Sequence, residues 1–179
     1  PGRLGQALGR LLVGSGIPVR WVAARRLQAA RRAVRFIGSG RAVGLTDFRL
    51  ADSSVILLTT SDAAVVQVAQ TLARLRADWA GKVVLHTCGA LPSSVLEPLR
   101  QRGAAIGSLH PFQTIPTPEA GARNLRGCYW GIEGEPAARR VAQEWVKALG
   151  GKSFPVRASQ KTLYHAAAFL VCPTVVTLM

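Results

Sequence analysis

Residues 54–75 read SVILLTTSDAAVVQVAQTLARL, and this stretch decides the fold class. It opens at 54–59 with a near-continuous apolar run bounded by polar residues, which is typical of a strand buried on both faces. Asp62 can cap a following helix, because its carboxylate can accept hydrogen bonds from free backbone N–H groups. Apolar residues then recur at helical spacing as far as Leu75. We therefore predict a buried strand that leads directly into a helix of about four turns.

The same alternation extends in both directions from this stretch. Strands are expected at 19–23, 82–86, 104–109, 128–133 and 152–156. Helices are expected from about residue 3 to Gly14, at 25–36, 91–102 and 135–149, and from a cap at Ser159 to Met179. Strands that alternate with helices predict an α/β fold with a doubly wound, mostly parallel sheet. Its first strand is expected just before Pro1, so this strand is missing from the sequence given.

The composition limits the function classes. The 179 residues are 49% hydrophobic, too many for a disordered chain, and no apolar run approaches the ~20 residues that span a bilayer. The sequence given also shows no charged start followed by an apolar middle, so neither a signal peptide nor membrane association is expected. Three cysteines spaced about forty residues apart form no metal motif, which predicts free thiols in the cytoplasm and no metal site.

The net charge of +14 raises the question of a nucleic-acid partner. All but four of the 23 basic residues are arginine, a bias that coding composition alone can produce. The sequence has no stripe of basic residues interleaved with aromatics and no groove-reading motif, so nucleic-acid binding is an unfavoured third hypothesis.

A glycine turn opens the chain. Gly2 and Gly5, with Arg3 and Leu4 between them, can supply the second and third glycines of the G-x-G-x-x-G loop that binds a dinucleotide pyrophosphate. A surface turn would have the same spacing. The helix that begins at once and the βαβ pattern that follows favour cofactor binding.

The end of the second strand of the fold discriminates between nicotinamide cofactors. An NAD site has an acidic residue there, about 20 residues after the loop, to accept hydrogen bonds from the ribose hydroxyls. This chain has Arg25 and Arg26 at that place. A guanidinium can hold the 2′-phosphate of NADP through bidentate hydrogen bonds. NADP is therefore predicted over NAD. The alternative is that both arginines are solvated residues of an arginine-rich helix.

Polar loops at successive strand ends are candidate ligand contacts, because ligands of such sheets bind beyond the carboxyl ends of the strands. Thr59 and Thr60 follow one strand and are candidates for cofactor binding. Asp62 is expected mainly to cap the next helix, and it is a second candidate for cofactor binding. The next two loops supply the remaining candidates, His86, Cys88, Gly89 and His110. For His86 a purely structural hydrogen-bonding role is the main alternative.

Three segments resemble a known family. They are His86-Thr-Cys-Gly-Ala90, Gly107-Ser-Leu-His-Pro-Phe-Gln-Thr114 and Lys161-Thr-Leu-Tyr-His-Ala-Ala-Ala168. They look like the Rossmann-like oxidoreductases with a C-terminal helical domain of unknown function, which are related to deazaflavin-dependent NADP reductases, pyrroline-5-carboxylate reductase and the β-hydroxyacid dehydrogenases. The resemblance implies a dinucleotide-binding domain over 1–157, the first helix of an all-helical domain over 158–179, and a homodimer formed through that second domain.

Two positions depart from the family pattern. Cys88 stands where the family usually has serine, near the expected nicotinamide, and a thiol is the poorer hydrogen-bond donor. Pro173 stands where the family usually has asparagine, and a proline there should kink the last helix. Any binding contact of that asparagine would be lost here.

The last helix carries the candidate catalytic pair. Lys161 and His165 are spaced i, i+4 and so project from one face. If that helix borders the cleft, as the resemblance implies, His165 is the better-matched proton donor, Lys161 can hold a substrate carboxylate, and His110 is the third candidate. The favoured function is an NADP-dependent oxidoreductase that transfers hydride to or from a small carbonyl or imine substrate. The alternative is a non-catalytic NADP-binding regulatory or scaffold protein.

Overall fold

A computed structural model describes the backbone of residues 1–177 and the side chains of residues 1–171. The strands are β1 (Trp21–Ala24), β2 (Arg41–Gly44), β3 (Val55–Leu58), β4 (Val83–His86), β5 (Ala105–Pro111), β6 (Tyr129–Gly134) and β7 (Lys152–Pro155). The helices are α1 (Arg3–Gly14), α2 (Leu27–Ile37), α3 (Asp62–Ala73), α4 (Glu97–Arg100), α5 (Pro118–Asn124), α6 (Pro136–Ala148) and α7 (Lys161–Thr177).

The strands form two sheets. β1 pairs with β2, and the second sheet has the order β3-β4-β5-β6-β7. Every pair is parallel except β5 with β6, which is antiparallel. The ladder aligns Leu58 with His86 and His86 with Ser108, so the ends of β3 and β4 and the polar residues of β5 lie side by side. The doubly wound, mostly parallel fold class is confirmed.

A groove of about 610 Å³ separates the two sheets. Residues 21–23 of β1 line one wall, residues 55–58 of β3 line the other, and Gly5, Gly9 and Leu12 of α1 line a third side. Within residues 1–177 no strand ladder joins β1 to β3.

Apolar side chains fill both faces of the larger sheet. On one face Leu85 of β4 and Trp130 of β6 pack with Leu8 of α1. On the opposite face Val84 and Ile106 pack with Leu72 of α3. Successive residues Val84 and Leu85 are both fully buried, which is the property predicted for a strand covered on both sides. Among the described residues no helix is long and apolar enough to cross a membrane.

Several expected elements differ from the structure. β2 and α5 were not predicted, because the first is four residues in a glycine-rich segment and the second lies in the proline-rich loop. The helix expected over 91–102 is wrong: a 3₁₀ turn at 93–96 precedes the single turn of α4. β5 continues to Pro111, so His110 lies in the strand and not in the loop after it.

The helix caps predicted at Asp62 and Ser159 are also wrong. Asp62 is the first residue of α3, and the N-cap position belongs to Ser61, whose side chain forms no capping hydrogen bond. Ser159 lies within a 3₁₀ turn at 158–160, and α7 begins only at Lys161. The expected continuation to Met179 and the side-chain effect of Pro173 fall outside the described residues.

Candidate functional site

The glycine turn lies at the carboxyl end of β3. α1 begins at Arg3 with Gly2 at its N-cap, and no side chain caps the helix. A Cβ at Gly5 would collide with the Thr59 side chain, whose Cβ is 2.8 Å away, so only glycine allows this approach. The first-turn N–H groups of α1 thus remain open to an anion, which helix amino termini bind through these groups and the helix dipole.

The side chains next to the glycine turn, those of Arg3, Leu4 and Thr60, lie in different surroundings. The Arg3 guanidinium donates to the Pro116 carbonyl at 3.0 Å. Leu4 packs against the apolar core, so only its backbone can face a bound group. Thr60 is exposed and lines the groove beside Thr59.

Arg25 and Arg26 follow β1 directly, and both are exposed. Arg26 is the N-cap residue of α2. Within the described part of the chain neither guanidinium forms an ion pair or a side-chain hydrogen bond, unlike Arg49 and Arg100, which pair with carboxylates. Both arginines are therefore available to an external anion.

His86 is fully buried at the end of β4. Its Nδ1 accepts a hydrogen bond from the Cys88 N–H at 3.2 Å, and its Nε2 lies 3.3 Å from the Pro92 carbonyl oxygen. Burial, aided by the Lys161 charge, lowers the pKa of His86 to about 4, so the ring is neutral at ordinary pH. With both ring nitrogens committed inside the protein, His86 orders the loop, which favours the structural alternative.

Cys88 belongs to the same loop. Its Sγ accepts from the Leu91 N–H at 3.4 Å. Burial and the Asp62 carboxylate raise the pKa of the Cys88 thiol, so the protonated form persists. The sulfur of Cys88 thus makes a hydrogen bond within its own loop.

Gly89 is the meeting point of two imidazoles. A Cβ at Gly89 would lie 2.8 Å from His110 Nε2 and would collide with His165 Nδ1. The two rings are edge to face with centroids 5.3 Å apart. His165 Nδ1 is buried without a hydrogen-bond partner among the described residues. Two of the three predicted catalytic residues, His110 and His165, therefore converge on one predicted cofactor residue.

Lys161 also contacts this loop, and its side chain does so from inside the protein. It is 1% exposed, and its ammonium donates to the Cys88 carbonyl at 3.1 Å and to Ser108 Oγ at 2.9 Å. Burial lowers the pKa of Lys161. The expected i, i+4 face shared with His165 is present, yet the ammonium supports the loop backbone where a substrate carboxylate was expected.

Behind Lys161 lies a buried polar network that the sequence analysis missed. Glu133 accepts hydrogen bonds from the Ser93 N–H and the Ser93 hydroxyl, each at 2.7 Å, and from the Ser108 hydroxyl at 3.3 Å. Ser108 therefore bridges the Glu133 carboxylate and the Lys161 ammonium. The pairing of β5 with β6 places Ser108 opposite Glu133, and residue spacing carries no signal for that pairing.

Tyr164 is a second residue that the sequence analysis missed. Its hydroxyl oxygen lies 2.9 Å from His110 Nδ1, whereas Gly89 lies against Nε2 of the same ring. Tyr164 lies within the segment Lys161-Thr-Leu-Tyr-His, of which only the lysine and the histidine were predicted as site residues. In the described residues no group of acidic, histidine or cysteine side chains could hold a metal ion.

Comparisons with known proteins give two family matches. The model of the Rossmann-like domain matches residues 1–111, and that of a domain of unknown function, DUF2520, matches residues 128–179. A comparison with curated proteins found no match.

Three solved structures are similar in fold. A Bacteroides fragilis protein described as an NADP oxidoreductase is 17% identical, with a TM-score of 0.79 and coverage of 99% of this chain and 66% of its own. A pyrroline-5-carboxylate reductase from Coxiella burnetii is 15% identical, with a TM-score of 0.73 and coverage of 99% and 64%. A reductive aminase from Aspergillus terreus, in complex with NADPH and ethyl-5-oxohexanoate, is 20% identical, with a TM-score of 0.67 and coverage of 94% and 57%. This chain thus spans less than two thirds of each.

Proposed function

Because the chain belongs to the Rossmann-like domain family, we propose that it is an NADP-dependent oxidoreductase acting on a small carbonyl or imine substrate. One observation carries the proposal. His110 and His165 converge on Gly89 at the edge of the sheet where the glycine turn meets the end of β3. A cofactor turn and a pair of proton-carrying groups at one sheet edge are what hydride transfer needs from a protein.

The residues present fit an NADP molecule. Gly2 and Gly5 leave the first turn of α1 open to a pyrophosphate, and Thr59 closes against this turn. Arg25 and Arg26 offer two free guanidinium groups for the 2′-phosphate. The bound cofactor would supply a hydride, with its electron pair, to the substrate carbon. The solved relatives described as an NADP oxidoreductase and as an NADPH complex support this choice by fold.

His165 is proposed to move the proton. When a carbonyl or imine carbon gains a hydride, its oxygen or nitrogen must gain a proton, and an imidazole is well suited to give it near neutral pH. His165 Nδ1 has no partner among the described residues and lies against Gly89, beside His110. Lys161 positions the loop from within through the Cys88 carbonyl.

A second candidate function is NADP binding without turnover, in a regulatory or scaffold role. The observation that favours it concerns Lys161. Its ammonium is hydrogen-bonded to the Cys88 carbonyl and to Ser108 inside the protein, so it does not face the surface of the site. Cys88 adds to it, because its sulfur accepts a hydrogen bond from the Leu91 N–H inside the loop.

Turnover separates the two functions. The protein is incubated with NADPH and a panel of small keto acids, ketones and imines, and cofactor oxidation is followed by nicotinamide absorbance. We expect oxidation with at least one substrate and a loss of about a hundredfold in kcat for His165→Asn, the range typical of a lost general acid. NADPH binding with no oxidation across the panel would favour the binding protein.

A further inference from the structure

Tyr164 holds a contact with His110 that the proposed function does not use. The two rings meet edge to face, with centroids 5.5 Å apart and planes at 90°. The phenol oxygen lies 2.9 Å from His110 Nδ1 and 3.5 Å from the His110 carbonyl oxygen. The shorter contact has the length of a normal hydrogen bond, and the longer one lies at its outer limit.

A slot in β6 fixes the tyrosine ring. Gly131 is paired with His110 across the β5–β6 ladder. A Cβ at Gly131 would lie 2.8 Å from the Tyr164 Cζ and hydroxyl oxygen, so the ring occupies the space that a side chain would fill. Phe154 meets the same ring edge-on at 5.8 Å. Packing therefore aims the phenol at His110.

We propose that Tyr164 is a positioning residue that holds His110 as the tautomer with its proton on Nε2. In this arrangement the single hydroxyl proton of Tyr164 goes to Nδ1, the nearer acceptor at 2.9 Å, and not to the His110 carbonyl oxygen at 3.5 Å, so the ring proton resides on Nε2. Nε2 faces Gly89, where a Cβ would approach it to 2.8 Å. His110 thus presents a fixed N–H donor at the place where the proposed function, on which this inference rests, puts the substrate heteroatom.

The surroundings of His110 keep the ring neutral. Burial is the main cause, and the nearby His165, Lys161 and His86 add positive charge or the capacity for it, which together lower the pKa of His110 to about 3. A neutral imidazole donates a hydrogen bond without giving up its proton. His110 therefore orients and polarises a bound heteroatom, while His165 is left to deliver the proton.

Nitrogen NMR tests the tautomer directly, without cofactor or substrate. In protein labelled with ¹⁵N-histidine, long-range ¹H–¹⁵N spectra distinguish protonated from unprotonated ring nitrogens. We expect His110 to show an unprotonated Nδ1 and a protonated Nε2 at neutral pH. In Tyr164→Phe, which removes only the hydroxyl, the two nitrogen shifts should move toward each other as both tautomers become populated.

The matched control is Tyr129→Phe, which removes the hydroxyl of an exposed tyrosine whose ring contacts Lys152. It should leave the His110 shifts unchanged. The His86 signals report on the integrity of the fold, and Gly131→Ala, which displaces the Tyr164 ring, should reproduce the effect of Tyr164→Phe.

Two results would overturn the inference. One is a wild-type His110 with its proton on Nδ1, and the other is a spectrum that Tyr164→Phe leaves unchanged. Failure of the proposed function is a separate outcome, because a missing turnover or a missing NADPH affinity would not alter the tautomer of the free protein.

Discussion

His110, His165 and Gly89 show how much of the site depends on single residues. Gly89 has no side chain, and this lets two imidazoles approach the same backbone position. The sequence analysis singled out all three residues because they follow successive strands or lie on the last helix. It could not foresee that Lys161 is buried, since helical spacing gives the face of a helix but not the depth at which that face lies.

The buried Lys161 leads to a stability prediction. Lys161→Met should lower the free energy of unfolding by about 1–3 kcal/mol, because the Cys88 carbonyl and Ser108 lose a charged hydrogen-bond donor. Urea unfolding measures this change. Lys147→Met, at an exposed position on α6, should change stability by less than about 0.5 kcal/mol. Equal effects of the two substitutions would show that the Lys161 contacts contribute nothing specific.

The two buried histidines predict a pH dependence of stability. His86 and His110 have folded-state pKa values of about 4 and about 3, against an ordinary value of 6.5. Below pH 6.5 the unfolded chain therefore binds protons that the folded chain does not, so stability is complete above that pH and is lost as the pH falls. Between pH 7 and pH 5 the free energy of unfolding should fall by on the order of 2 kcal/mol for each histidine.

Urea unfolding at a series of pH values checks this expectation. His86→Asn should retain only the part of the slope that belongs to His110. A free energy of unfolding that stays flat from pH 7 to pH 5 would mean that both rings are accessible to protons in the folded state.

At the level of elements, the alternation of strand and helix could be predicted because buried parallel strands and amphipathic helices leave distinct periodicities. β3 with α3 and β6 with α6 are examples. α5 was missed because the proline content of 111–118 indicates a loop, although Pro118 occupies the first turn of that helix and Thr117 caps it by accepting from the Ala120 N–H. The antiparallel pairing of β5 with β6 is a tertiary choice that no local pattern encodes.

The junction of β1 and α2 gives a prediction about cofactor preference. Arg25→Ala combined with Arg26→Ala should weaken NADPH binding by about tenfold or more and leave NADH binding nearly unchanged, because only NADPH carries the 2′-phosphate. Calorimetric titration with each cofactor measures the difference. Arg31→Ala with Arg32→Ala removes the same charge from an exposed part of α2 and serves as the control. Equal losses of NADPH affinity in the two double variants would show that net charge alone causes the effect.

At the scale of the whole molecule, α7 leaves an apolar stripe uncovered. Leu163 and Leu170 are 73% and 65% exposed, and Ala166 and Ala167 lie between them at i, i+3, i+4, i+7 spacing. The face with Lys161 and His165 is turned toward the sheet. We propose that the stripe takes part in a homodimer, since exposed apolar surfaces of this kind usually mark an interface.

Sedimentation velocity over a concentration series tests the homodimer. The wild-type protein should associate as its concentration rises, and Leu163→Glu with Leu170→Glu should remove this dependence. Leu27→Glu with Phe48→Glu introduces the same charges at exposed apolar residues elsewhere and should leave association intact. A wild-type protein that stays monomeric throughout would refute the interface.

The central claim is that one sheet edge binds NADP and presents two histidines to its substrate. The most direct measurement is a titration of ¹⁵N-histidine-labelled protein with NADPH, followed through the ring signals of His110 and His165. The account predicts that both sets of signals move together and saturate, at lower concentrations of NADPH than of NADH. Signals that do not move with either cofactor, or that respond to the two equally, would contradict it.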